Sequence, residues 1–342
     1  MAQGSMAKIT ILGAGSWGTA LALVLSRAHH RHEICLWARD AALAEILNRN
    51  RENSTYLPGI FLPLEVQITH DLRAAVSAAE ILIGAMPSAH ARSIYSLAAP
   101  NLRHNTIVVS ATKGLEPTTH LRISKVIAQT LAFSGQADYP RLAVLSGPSF
   151  AAEAARGEPT AIVLASHDSA LADDLQEKFA GPSFRVYTNS DVLGVELAGA
   201  MKNVIAIAAG ACQGLGFGSN AVAALITRGL AEMTRLSCAL GGKPETLFGL
   251  AGLGDLVLTC STPQSRNFSF GFALGKGQTP DEVRSGAKLA EGAFTAPVLV
   301  EMARARGVEM PISAAVAAIL DGTISVGDAI EGLLTRPFRA EG

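Results

Sequence analysis

Short apolar, β-branched runs alternate with helical stretches from Lys8 to about Asn189, and beyond Ser190 that alternation stops. Ile9–Leu12, Glu33–Trp37, Ile81–Ala85, Thr106–Ser110, Leu142–Ser146, Ala161–Ala165 and Phe184–Tyr187 have the length and composition of strands. Most are apolar at successive positions rather than at alternate ones, as expected of strands covered by helices on both faces. Strands alternating with helices predict βαβ units and a mostly parallel sheet.

Beyond Ser190 the apolar period is helical. Val192–Leu215, Asn220–Leu240, Phe294–Arg306 and Ile312–Asp321 read as helices, with glycine-rich breaks at Gly214–Gly218, Gly241–Gly242, Gly252–Gly254 and Gly275–Gly277. The apolar stretch Leu193–Phe217 is long enough to suggest a membrane span. It carries Glu196, Lys202, Asn203 and Gln213, which are costly in lipid, so a buried helix is expected and no membrane insertion.

The 342 residues suffice for two domains, and 49% apolar against 17% charged is the balance of a compact globular chain. Lys and Arg total 28 against 29 Asp and Glu, so no overall field draws nucleic acid or an anionic membrane. A small anion would have to be held by a few local cations. Cys35, Cys212, Cys238 and Cys260 form no CxxC pair and read as reduced, buried thiols of a cytoplasmic protein. His29, His30 and His32 lack a carboxylate or thiol partner at ligand spacing, so no metal is expected. Residues 1–5 have no apolar core or cleavage site and read as an expression scar, with Met6 the natural start.

Gly13-Ala14-Gly15-Ser16-Trp17-Gly18 lies between the strand Ile9–Leu12 and the helix Thr19–Arg27. In such a turn the first glycine permits the tight bend, the second admits a pyrophosphate close to the backbone, and the third lets helix pack on strand. The helix N-terminus then presents N–H groups and a positive dipole end to the phosphates. The expected fold is therefore a Rossmann-type, doubly wound α/β domain over residues 6–190, followed by an all-α domain over residues 191–342. At the end of the second strand, about 20 residues beyond the turn, stand Arg39 and Asp40. An arginine there accepts a 2′-phosphate, which points to NADP(H), with NAD(H) tolerated through Asp40; a helix cap is the plainer role for Asp40.

Ligands of open α/β sheets lie beyond the carboxyl ends of strands. Lys113 sits there in Ser110-Ala111-Thr112-Lys113-Gly114, and Ser146-Gly147-Pro148-Ser149-Phe150 follows another strand. A solvated loop lysine is the plain alternative for Lys113. Lys202 is more informative, because its helical neighbours Ala198, Gly199, Ile205 and Ala206 are all apolar or small. A lysine and Asn203, adjacent in a buried helix, need partners or a chemical task; a snorkelling lysine at the helix edge is the alternative. Asp255 could be an ordinary N-cap. Ser265-Arg266-Asn267 puts an arginine fork and an amide at a helix start, a suitable phosphate clamp.

Six stretches, GAGSWGTA from Gly13, SATKGLE from Ser110, LSGPSFAAE from Leu145, ELAGAMKNVIAIAAG from Glu196, AGLGDLVLTC from Ala251 and SRN from Ser265, resemble the bacterial-type NAD(P)-dependent glycerol-3-phosphate dehydrogenases. They occur in family order over nearly the whole chain beyond Met6. The resemblance implies reversible reduction of dihydroxyacetone phosphate to sn-glycerol 3-phosphate, feeding phospholipid synthesis, in a homodimer. It implies that Lys202 exchanges the proton of the substrate oxygen, that Lys113 and Asp255 complete the catalytic set, and that Ser265, Arg266, Asn267, Gly147 and Ser149 contact substrate. It also implies cofactor contacts at Trp17, Lys113, Ala151, Arg266, Leu289 and Glu291, alongside the turn Gly13, Gly15, Ser16 and Gly18. A β-hydroxyacid or ketopantoate-type reductase would also join such a domain to a helical one. The SRN and AGLGDLVLTC strings disfavour it, and a dinucleotide sensor without activity would be expected to lack the lysine or the clamp.

Overall fold

A computed structural model describes residues 6–131, 141–286 and 290–337; the expected scar at 1–5, and Leu289, lie outside the described residues. The chain divides into two compact units, Met1–Glu196 and Leu197–Gly342.

In the first unit the strands in chain order are β1 (Lys8–Leu12), β2 (Glu33–Trp37), β3 (Glu52–Asn53), β4 (Leu57–Phe61) and β5 (Gln67–Thr69), then β6 (Ile81–Gly84), β7 (Ile107–Ser110), β8 (Leu142–Ser146), β9 (Thr160–Ala165) and β10 (Phe184–Asn189). Eight of them form one sheet in the order β10-β9-β8-β7-β6-β1-β2-β5. All neighbours pair in parallel except β8 and β9. The mostly parallel sheet is therefore as expected, with a reversal at β9.

Side chains alternate between the faces of the sheet. Ile9, Ile11, Ile81, Ile83 and Val109 enter one apolar core, and Leu12, Leu82 and Val108 enter another. This is why both alternating positions of the strands are apolar. The strand order turns around between β1 and β6, since the chain proceeds from β1 outward to β2 and from β6 outward to β7. The glycine turn leaves β1 at that reversal, where a crevice opens beyond the strand ends.

The hairpin β3–β4 is not among the strands expected from the sequence; β4 contains Pro58 and Gly59, which are uncommon inside strands. Arg51 holds its base. It ends the helix Ala41–Asn50 in the left-handed region and donates from its guanidinium to the carbonyls of Val66 (2.7 Å), Leu62 (3.4 Å) and Pro63. Of the cysteines, Cys212 and Cys260 are buried and Cys35 half-buried, but Cys238 is exposed on the helix Ser219–Ala239, contrary to the expectation of burial.

The second unit contains only helices among its described residues. Its core is the helix Val192–Gly214 from Leu197 onward; the most apolar window of that helix is 89% buried within the protein, the environment of a core helix. The helix Arg266–Gly275 crosses it at backbone contact. A Cβ on Gly271 would lie 1.9 Å from the Ile207 carbonyl oxygen, and one on Gly210 2.0 Å from that of Phe268. Only glycine permits this approach.

Gly271→Ala must therefore push the two helices apart and should destabilise the protein by about 1–3 kcal/mol, as overpacking does. Gly332→Ala, on an open face of the helix Val326–Leu334, should leave stability unchanged or slightly raised. Urea denaturation of both variants checks the pair; equal effects would contradict the account of the crossing.

Candidate active site

The three glycines of the first turn have three different surroundings. Gly13 adopts φ +114°, and a Cβ there would lie 3.0 Å from the Ala85 carbonyl oxygen beyond β6. A Cβ on Gly18 would lie 1.8 Å from the Gly13 oxygen, so the helix Ser16–Ser26 sits directly on the turn. A Cβ on Gly15 would meet nothing within 4 Å. Gly15 is also the N-cap and brings no side chain to the first N–H groups of the helix. Among the described residues the buried Trp17 indole N–H has no hydrogen-bond partner. Bend, close packing and open backbone thus suit the pyrophosphate of a dinucleotide.

At the end of β2, Asp40 accepts from the Ala42 N–H (2.9 Å) and caps the helix Ala41–Asn50. Its plainer role is therefore filled, and Arg39 stands exposed beside it.

Lys113 and the loop after β8 come together within the same unit. Lys113 Nζ donates to the Gly147 carbonyl (2.8 Å) and lies 3.5 Å from Ser149 Oγ, which itself donates to the Gly147 carbonyl (2.9 Å). Gly147 adopts φ +139° against the β9 backbone. Ala151 opens the helix Ala151–Arg156 and packs on the core. The loop carrying Lys113 is anchored by the buried Glu116, which accepts from Arg92 Nε (2.8 Å) and Nη2 (2.7 Å) and from Thr119 Oγ1. The Arg92 guanidinium holds the Glu116 carboxyl below its ordinary value.

In the second unit Lys202 is 6% exposed and Asp255 1% exposed. Lys202 Nζ donates to Asp255 Oδ1 (2.7 Å) and to Thr259 Oγ1 (2.7 Å), while Thr259 Oγ1 donates to the Asp255 carbonyl (2.6 Å). Lys202 is thus a buried, partnered ammonium and no snorkelling surface lysine. Sequence reasoning missed Thr259, although it stands four residues after Asp255 and hence on the same helical face. Burial pushes the neighbouring Cys260 thiol up to about 12, which leaves it inert at neutral pH.

The amides form a second buried chain. The Gly292 N–H donates to Asn267 Oδ1 (2.9 Å), Asn267 Nδ2 to Asn203 Oδ1 (2.9 Å), and Asn203 Nδ2 to the Gly199 carbonyl (3.4 Å). This chain joins three helices, Val192–Gly214, Arg266–Gly275 and Glu291–Ala305, the last opening at Glu291. Ser265 caps the second of these through the Phe268 N–H (3.2 Å). Within the SRN triplet, Ser265 and Asn267 are buried with internal partners and Arg266 is exposed.

Models of the NAD-dependent glycerol-3-phosphate dehydrogenase family match this chain twice, the N-terminal model over residues 8–172 and the C-terminal model over residues 191–331. A glycerol-3-phosphate dehydrogenase (NAD(P)+) of Acidobacterium capsulatum is 50% identical over 341 residues, covering 98% of this chain and 100% of its own. The crystal structure of a glycerol-3-phosphate dehydrogenase from Coxiella burnetii superposes with a TM-score of 0.91 at 41% identity, over 97% of this chain and 99% of its own. A ketopantoate reductase from Ralstonia eutropha shares the fold alone, with a TM-score of 0.57 at 21% identity over 92% of this chain and 99% of its own.

Because the folded-state value of Glu116 is depressed, its ionised form stabilises the fold above the ordinary 4.5, and that stability is lost as pH falls through the depressed value. Arg92→Met should remove the depression. In urea denaturation followed across the acid range, the wild type should lose its advantage over Arg92→Met below pH 4.5; parallel pH profiles would contradict the assignment.

Proposed function

The chain belongs to the NAD-dependent glycerol-3-phosphate dehydrogenase family, and from that premise we propose that it interconverts dihydroxyacetone phosphate and sn-glycerol 3-phosphate. The observation that carries the chemistry is the buried Lys202–Asp255–Thr259 cluster, a cation held dry beside a hydroxyl. Residues 6–190 carry the dinucleotide turn, and residues 191–342 carry the proton donor and the phosphate clamp for the substrate. When bound, the nicotinamide would supply the hydride chemistry, its reduced form as donor to C2 of the ketone and its oxidised form as acceptor from C2 of the alcohol in the reverse direction.

Negative charge grows on the C2 oxygen during reduction. Lys202 stabilises that charge and delivers a proton to the oxygen, a general-acid contribution of about 10²–10⁴-fold. In the reverse direction it takes the proton back. Asp255 balances the buried ammonium, and Thr259 fixes the direction in which the Nζ protons point. Arg266, the exposed member of its triplet, binds the dianionic phosphate through its planar fork. Ser265 and Asn267 act with it by setting the helix start that carries the guanidinium. Lys113, Gly147 and Ser149 form the other substrate-contacting set, and Glu291 and Ala151 contact the cofactor. We assign the product to phospholipid synthesis, the chain to the cytoplasm, and the assembly to a homodimer.

Arg39 supplies the preference for NADP(H), since Asp40 is engaged in its cap. The test is oxidation of NADPH and NADH with dihydroxyacetone phosphate or ketopantoate as acceptor, for the wild type and Arg39→Ala. Turnover is expected with dihydroxyacetone phosphate alone. Arg39→Ala should lower kcat/KM for NADPH by about tenfold or more, the size of one lost charge-assisted contact, and spare NADH. No turnover with dihydroxyacetone phosphate would overturn the function, and an equal loss with both cofactors would overturn the role of Arg39.

A further inference from the structure

Asn53, at the end of β3, is 0% exposed and uses its whole amide. Its Nδ2 donates to the Ala14 carbonyl (2.9 Å) and to Thr19 Oγ1 (2.8 Å), and its Oδ1 accepts from the Tyr56 N–H (3.3 Å). One side chain therefore ties the β3–β4 hairpin to the middle of the glycine turn and to the first turn of the following helix. Ser16 Oγ adds a second tie by donating to the Tyr56 carbonyl (2.7 Å).

We propose that Asn53 is a positioning residue for the dinucleotide, one that orients the Ala14–Gly15 peptide so that the Gly15 N–H faces the phosphates. In a planar trans peptide the C=O and the N–H point in opposite directions, and the chain has no cis peptide among its described residues. Pinning the Ala14 carbonyl to Asn53 therefore turns the Gly15 N–H away from the hairpin. A Cβ on Gly15 would meet nothing within 4 Å, so on that side the backbone has room for a ligand to approach. Glycine makes the turn possible, but glycine peptides rotate at little cost. Here the donor that fixes the rotation comes from a separate strand. A buried amide serves this better than a carboxylate, which would place a second negative charge near the pyrophosphate and could not donate to Ala14.

The inference rests on the dinucleotide reading of the turn and deepens it. The experiment measures NADPH binding directly, by fluorescence titration of the substrate-free chain, together with KM for dihydroxyacetone phosphate and thermal stability. Asn53→Leu removes all three hydrogen bonds at nearly constant volume and should raise the NADPH Kd by about tenfold, the equivalent of one lost buried hydrogen bond. KM for dihydroxyacetone phosphate should stay within about twofold, the ordinary scatter of a change outside its contacts. Thr19→Val spares the bond to Ala14 and should leave the NADPH Kd within about threefold, less than the full bond is worth. In hydrogen exchange on the free protein, the Gly15 amide should exchange faster in Asn53→Leu than in Thr19→Val.

An unchanged NADPH Kd in folded Asn53→Leu would overturn the proposal, as would an equal rise in Thr19→Val. If Asn53→Leu does not fold, Asn53→Ala carries the same comparison; failure of both to fold would make Asn53 a residue of stability alone and overturn it. A wild-type chain that binds neither NADPH nor NADH would overturn the dinucleotide reading itself, an outcome distinct from the others.

Discussion

In the second unit an ammonium and a carboxylate face each other at 2.7 Å with almost no exposure to water. Removing both charges from solvent costs several kcal/mol each, and their attraction repays it only when the geometry is tight and the remaining donors are satisfied. That requirement shapes what surrounds the pair. Thr259 takes a second Lys202 proton and donates its own to the Asp255 backbone, so the hydroxyl is committed in both directions. Beside it, Asn267 Nδ2 donates to Asn203 Oδ1 across two helices, while the other half of each amide is bonded to backbone. The glycines at 210 and 271 let those helices close to backbone contact, which brings the amides within reach. A hydrophobic pair of the same volume would be as stable or more so; retaining a charge there makes sense if it has a proton to exchange.

The first unit meets an anion by other means. Around its glycine turn the donors are backbone N–H groups and a helix end, with an arginine placed only at the tip of β2. Backbone donors have no desolvated net charge to compensate, but their direction depends on peptide rotation. Fixed partners for the neighbouring carbonyls then matter as much as the glycines. Nearly balanced overall charge is compatible with both arrangements, because each recognises an anion through a few local groups.

Much of this was legible in the chain itself. Most of the seven long strands announced themselves because both of their faces are buried, β10 with its exposed Arg185 and Tyr187 being the exception. Lys202 was conspicuous as a charge among small apolar neighbours. The hairpin β3–β4 was hidden, since Glu52–Asn53 has only two residues and Pro58-Gly59 imitates a loop. The antiparallel entry of β9 was hidden for another reason: an apolar run reads alike in either direction. Nothing local marks Asn53, because its partners Ala14 and Thr19 lie 39 and 34 residues earlier in the chain. Nor did the sequence show that the Asn267 amide bonds to Asn203 and Gly292 and so joins three helices. Local periodicity carries burial; it does not carry the long-range pairing that decides what a buried polar group does.

The central claim is that Lys202 and Asp255 act as one unit in moving the proton of the substrate oxygen. Its most direct test is a double-mutant cycle on kcat, with Lys202→Met, Asp255→Asn and the double variant measured at saturating dihydroxyacetone phosphate and NADPH. Residues that work as a unit are strongly non-additive, so the double variant should be about as slow as Lys202→Met alone. If the two losses multiply instead, Asp255 acts independently of Lys202, and the account of the pair is wrong.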